Sequence, residues 1–347
     1  MSGSENKKKL SVWKIIIMAV LGLVALVSLI LLCAIGYFRL SVAPYYSASD
    51  KAFVIPALND DFVPQGMHYD AERDHFLVTG YSSAKNASPV YLVNEANNGG
   101  NYKTVYLMKE DGTDFKGHAG GIAVSGKYVY IAGGDDRCLY VYSYDEILSS
   151  SDGGKVICKG RFSTKTSDND YVDVSCVTVS GDRIIIGEFY RDVDYPTLPS
   201  HKLTTKCGDY NQALAVAFEL SKEAEFGIDP TPVAAYSMPD HVQGMYFSSD
   251  KIYLSTSYGA TFSHIYEYDI SRVVQSEITV LGTSTTLYEL DSSSLSYDYK
   301  IAPMSEEIEM VDGKLYVMCE SASNKYKFGK LIGGKWCYAT NLEEMKK

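Results

Sequence analysis

Two hydrophobic regimes follow one another along this chain. Ile15–Phe38 is an uninterrupted apolar stretch of 24 residues without a charge. From Ala52 onward the apolar runs shorten to a few residues rich in Ile, Val, Leu and Tyr, punctuated by Ser, Asp and Gly. Asp240–Asp269 shows the second pattern best. A polar start (Asp240, His241, Gln243, Gly244) leads into Met245-Tyr246-Phe247, then Ile252-Tyr253-Leu254, then Ile265-Tyr266-Glu267-Tyr268. Such runs between turn-forming clusters predict short antiparallel strands with one wet face.

The same statement recurs, so the chain reads as five units of about four strands each. Their first strands begin near Gln65-Gly66-Met67, Gly120-Gly121-Ile122, Ser175-Cys176-Val177, Gln243-Gly244-Met245 and Glu306-Glu307-Ile308. Lys155–Cys158 reads as the fourth strand of the second unit and Thr286–Leu290 as that of the fourth. A lone blade of this kind exposes two faces and an edge, and radial packing covers them. The expected fold is therefore all-β: a five-bladed β-propeller, with six blades as the alternative because the third unit is long. The fifth unit lacks a fourth strand. Residues 51–57, which contain Ala52-Phe53-Val54-Ile55-Pro56, are expected to supply it and close the ring. The propeller is thus expected over 51–347.

The first regime predicts one transmembrane helix over 15–38. At 1.5 Å per residue it reaches roughly 36 Å, enough to cross a hydrocarbon core of about 30 Å with some tilt. Residues 1–14, with Lys7, Lys8, Lys9 and Lys14, form a basic tail expected in the cytoplasm, and 39–50 a tether. The propeller would then lie on the extracytoplasmic side. The run is long for a signal peptide, and Ser41-Val42-Ala43 is followed by Pro44, a poor cleavage site, so the segment reads as an uncleaved signal-anchor.

Net charge is −11, and basic residues cluster only at the extreme N-terminus, which argues against nucleic-acid binding. Of the seven cysteines, six lie beyond the apolar run; Cys138 and Cys158 are the best disulfide pair, and the competing reading is that most are small buried hydrophobes. No C-x-x-C pair, phosphate loop or G-x-S-x-G nucleophile motif occurs.

Chemistry is expected where first strands begin, at one mouth of the channel. Aligning the units gathers Gln65, Gln243 and Glu306 in one column, His118, Asp173 and His241 two residues earlier on the same side, and Glu307 beside them. These seven are the candidate ligand-binding set. Asp173, Glu188, Glu306 and Glu320 are the candidate metal set, with oxygens suited to calcium or another divalent ion. His68, His75, His201 and His264 read as surface residues. The long insertion Arg191–Gln212 is a candidate recognition loop. The repeated Q-G-M start and the strand periodicity over 51–345 resemble the lactonase-like and quinoprotein-like propellers secreted or membrane-anchored in bacteria. The lactonase-like group implies a channel calcium held by Glu, Asn and Asp, of which the aligned columns supply Glu and Asp. Two functions are expected on these grounds. One is a surface binding module for a small polar ligand, glycan or protein partner. The other is a metal-dependent hydrolase of a lactone, phosphoester or glycan, with His as general base.

Overall fold

A computed structural model describes residues 12–94, 101–134 and 136–347; Lys7, Lys8 and Lys9 of the expected basic tail lie outside them. The chain divides into two compact units, Met1–Ala43 and Pro44–Lys347. The first contains a 29-residue helix, Val12–Leu40, long and apolar enough to cross a membrane and with no buried residue.

The second unit is a five-bladed β-propeller. Its innermost strands are Phe62–Asp70, Ile122–Ser125, Cys176–Ser180, Val242–Phe247 and Ser305–Val311, one per blade. They touch one another in cyclic order around the hub. Three glycines let them do so. A Cβ on Gly66 would stand 2.8 Å from the Gly121 backbone, one on Gly121 2.7 Å from Val177 N, and one on Gly244 2.6 Å from Glu307 Cα. The repeated glycine is thus a close-approach residue, which is the use of glycine within strands.

Buried hydrophobic clusters fill the wedges between blades. Phe53, Phe76, Met67 and Met318 lie between the fifth and first, Val105, Ile131 and Tyr142 between the first and second, Val141, Ile186 and Phe218 between the second and third, and Met238, Met245 and Leu254 between the third and fourth. The seam between the fourth and fifth carries polar links: Ser255 Oγ and Ser305 Oγ are 2.8 Å apart, and Ser305 N donates to Ser263 Oγ at 3.0 Å.

The ring is closed by the strand Ser49–Val54, which pairs antiparallel with Trp336–Thr340, Phe53 opposite Cys337. The segment expected as a tether is packed from residue 44 on. Tyr45 is fully buried with its ring 5.6 Å from that of Tyr338, and Tyr46 Oη donates to Ile332 O at 2.7 Å.

Two strand assignments need correction. Gly154–Ile157 does not complete the second blade. It adds parallel to the outer strand of the first, Tyr102–Met108, and the second blade is completed by Gly160–Ser163. Likewise Thr283–Glu289, with its partner Val274–Val280, extends the third blade in parallel, and Leu295–Ile301 completes the fourth. Alternating hydrophobicity reports that a strand has one covered face, but not which neighbouring sheet edge covers it.

The seven cysteines are free thiols, and five of them, including Cys138 and Cys158, are buried. Cys138 and Cys158 belong to the same apolar cluster between the first two blades, so they pack as small hydrophobes rather than as the expected disulfide.

Candidate functional site

The innermost strands do not run straight into the hub. In the first blade the register slips between Pro64 and Gly66, leaving Gln65 unpaired; in the fourth it slips between Val242 and Gly244 at Gln243; in the fifth between Ser305 and Ile308 at Glu306 and Glu307. Each slip is a β-bulge, which re-aims a side chain out of the ladder. The column read from sequence is therefore a column of bulges, and this is why polar residues are tolerated there.

The bulges open into a cavity of about 500 Å³ to which all five blades contribute. Gln65 and Tyr81 come from the first blade, His118 and Gly120 from the second, and Ser175, Phe189, Arg191 and Tyr195 from the third. Gln243 and Tyr258 come from the fourth, and Met304, Glu320, Lys325 and Tyr326 from the fifth. Rings form much of the wall. Tyr81 stacks on His118 at 4.7 Å; His241, which does not line the cavity, stacks on Tyr258 at 5.0 Å, with Phe189 5.7 Å away. Two cations stand among them. Arg191 donates to Tyr258 Oη at 2.7 Å and lies over its ring, and Lys325 donates to Tyr81 Oη and lies between the Tyr81 and Tyr326 rings, 4.9 Å from each.

Beside Gln65 sits a carboxyl pair. Gln65 Nε2 donates to Glu320 Oε2 at 3.1 Å, and the Glu306 carboxyl is close enough to Glu320 for each to perturb the other. Glu306 is fully buried, and its Oε1 has no hydrogen-bond partner among the described residues. Burial, and then the charges of Glu320 and Glu307, push the Glu306 carboxyl well above its ordinary range. Burial also lifts Glu320, to about 7, opposed by the Lys325 charge and by hydrogen bonds from Gln65 and Tyr326. Two adjoining carboxyls out of water cannot both ionise easily, and burial favours the neutral form of each.

Other expected members are placed elsewhere. Glu307 faces away from the cavity into the wedge between the fourth and fifth blades. Its Oε1 accepts from Met245 N at 3.0 Å and Ile308 N at 3.3 Å. The bulge at 306 and 307 turns the two side chains apart, Glu306 toward Glu320 and Glu307 toward the fourth blade. Asp173 is paired with Arg137 Nε at 3.1 Å and does not line the cavity. Glu188 is fully buried and already satisfied: it accepts from Leu214 N at 3.0 Å, from Asp173 N at 3.3 Å, and faces His201 Nδ1 at 3.0 Å. Of the expected metal set, Glu306 and Glu320 lie together, while Asp173 and Glu188 are engaged by their own partners. His201 is also not a surface residue. It is 2% exposed, carried inward by the insertion after Phe189 as the buried partner of Glu188.

The sequence reading missed the rings and cations. Tyr81 lies near the end of the first blade's second strand, and Phe189 and Tyr258 stand two residues past the ends of theirs, so the three fall at a similar place. That recurrence was visible but lost among 29 tyrosines. Lys325 and Tyr326 sit on an irregular segment after the fifth blade's second strand, outside any repeat.

No protein-family model and no curated protein matches the chain. Among solved structures it is similar to the PQQ-bound aldose sugar dehydrogenase of Streptomyces coelicolor, at 13% identity and a TM-score of 0.43, covering 84% of this chain and 95% of that one. It is also similar to the glutaminyl cyclase of Myxococcus xanthus (9% identity, TM-score 0.38, 74% and 85% covered). A nidogen/laminin complex is similar as well (10% identity, TM-score 0.36, 75% and 73% covered). Likenesses this distant carry no functional argument.

Proposed function

We propose that this chain is a membrane-anchored, extracytoplasmic binding module whose hub pocket takes a small polar ligand. The observation that carries this reading is the cavity of about 500 Å³ shared by all five blades, aromatic on its walls and floored by Glu320 and Gln65. A concave site with apolar rings and a few convergent polar groups is the usual design for a small ligand. The rings stack on a flat or C–H-rich face, the carboxyl pair accepts hydroxyl or amine donors, and Lys325 offers charge to an anionic group. A sugar, a sugar acid or an amino compound meets these demands. The anchor is Val12–Leu40, with its basic flank on the cytoplasmic side.

A second reading is favoured by one observation, the buried carboxyls of Glu306 and Glu320 beside Gln65, with Glu306 Oε1 unpartnered among the described residues. A carboxyl poised near neutral pH can move a proton on a bound molecule, as hydrolysis of a lactone or glycan requires. Calcium or another divalent ion would find oxygens at Glu306, Glu320 and Gln65.

Both readings are tested by one screen. The full chain in detergent is heated in the presence of sugars, sugar acids, amines and divalent ions, singly. A ligand at about 100 times its Kd stabilises by about 2.7 kcal/mol. The shift is expected to vanish in Y258A and E320Q. Turnover of a stabilising compound, lost in E320Q, selects the second reading. A ligand that shifts the wild type and both variants equally binds elsewhere and removes the hub from the argument.

A further inference from the structure

The insertion that carries His201 continues into a small hairpin, Leu203–Thr204 paired with Tyr210–Asn211. Its turn is pinned to a second turn, the one between Thr283–Glu289 and Leu295–Ile301. Lys206 N donates to Glu289 Oε2 at 2.8 Å, and Ser292 N donates to Asp209 Oδ2 at 2.6 Å. Cys207, Asp209 and Asp291 meet at this junction, with one potential ligand atom from each lying within 4.8 Å of the others. Cys207 Sγ is 3.3 Å from Asp209 Oδ2 and 3.4 Å from Ser292 Oγ.

A second observation shows that this cluster is incomplete. Asp291 is 3% exposed, yet Ser293 satisfies only its Oδ1, through N at 3.0 Å and Oγ at 2.5 Å. Its Oδ2 is buried without a hydrogen-bond partner among the described residues. An unmatched buried carboxylate oxygen is costly, because it has given up water without gaining a donor. A cation beside Cys207 removes that cost.

We propose that Cys207, Asp209 and Asp291 form a binding site for a divalent cation of the zinc class, which clamps the third-blade insertion to the turn leading into the fourth blade's outer strand. The donor set selects the metal. One thiolate disfavours calcium and magnesium, whereas zinc takes sulfur at about 2.3 Å and carboxylate oxygen at about 2.0–2.2 Å in a tetrahedron. Three protein ligands leave a fourth position, which water fills on the exposed Cys207 side. Binding releases the Cys207 proton to solvent. The site lies on exterior turns and uses no residue of the hub, so it stands apart from the proposed ligand pocket.

Cobalt(II) is the probe, because thiolate ligation gives it a near-ultraviolet charge-transfer band and a tetrahedral field strengthens its visible bands. The full chain carrying Cys33→Ser, reduced and freed of metal, is titrated with cobalt(II). The expected result is a saturable thiolate band at one equivalent, bleached by zinc, absent in C207S, and shifted to at least roughly tenfold weaker affinity in D291N. Zinc should also raise the unfolding midpoint of the parent and leave that of C207S unchanged. The proposal is overturned by the absence of a saturable band in the reduced parent. A band that survives C207S overturns it equally. Cys207 is exposed, so C207S should fold; matching circular dichroism and midpoint without metal check this.

Discussion

Replacing Glu320 with glutamine should stabilise the propeller at high pH, and the size of the effect follows from the hub. In the folded chain burial lifts the Glu320 carboxyl to about 7, against 4.5 for the free side chain. Between those values the folded state holds more protons than the unfolded one. Stability therefore falls as pH rises through this window, and the full penalty applies above it. At about 1.36 kcal/mol per tenfold change in proton affinity, the gap amounts to about 3 kcal/mol. Glutamine keeps an oxygen for the Gln65 amide and adds an N–H that Glu306, at present unsatisfied at Oε1, can accept. The variant should thus lose the charge without losing the contacts. With an unfolding entropy of about 2.1 cal/mol/K per residue over roughly 300 residues, 3 kcal/mol corresponds to about 5 °C in midpoint. Trp336 sits on the strand that pairs with the ring-closing one, opposite Val54, and its fluorescence reports the opening. Midpoints of wild type and E320Q should agree at about pH 4.5 and separate by about 5 °C at about pH 8. Curves that stay parallel across that range would refute a Glu320 carboxyl lifted by burial.

Three further outcomes follow from the packing. Gly66→Ala should cost about 1–3 kcal/mol by overpacking, since its Cβ would stand 2.8 Å from the Gly121 backbone; thermal unfolding measures it, and an unchanged midpoint means the hub is looser than described. His201→Ala leaves buried Glu188 without its side-chain partner, an expected loss of about 3–5 kcal/mol; urea unfolding measures it, and an unchanged midpoint means the pair contributes nothing. Phe53→Ala should cost about 3–5 kcal/mol and Tyr45→Ala a similar amount, because both side chains are fully buried; a Tyr45→Ala chain as stable as wild type would return residues 44–48 to the status of a tether.

Much of the architecture was legible because it rests on local rules. Strands separated by turn residues, repeated five times, can bury their faces only by closing a ring; the last strand was expected over 51–57, and the closing strand runs Ser49–Val54. The bulge column was legible for a similar reason: Gln65, Gln243 and Glu306 stand at one offset from a glycine or its equivalent in each unit. An apolar stretch without charge likewise predicts a membrane-length helix from composition alone.

Other features were decided in three dimensions. Gly154–Ile157 and Thr283–Glu289 alternate like any half-buried strand, and only the position of a neighbouring edge assigns them to the blade before. Glu188 and Glu320 end second strands in two blades and look alike in sequence. One is met by His201, delivered from an insertion of no fixed pattern, while the other faces the cavity beside Lys325. Repetition along a chain fixes which backbone positions are equivalent, because hydrogen-bonded strands obey a period of two. The environment of a buried charge depends on what the irregular loops place against it, and loops have no period to read.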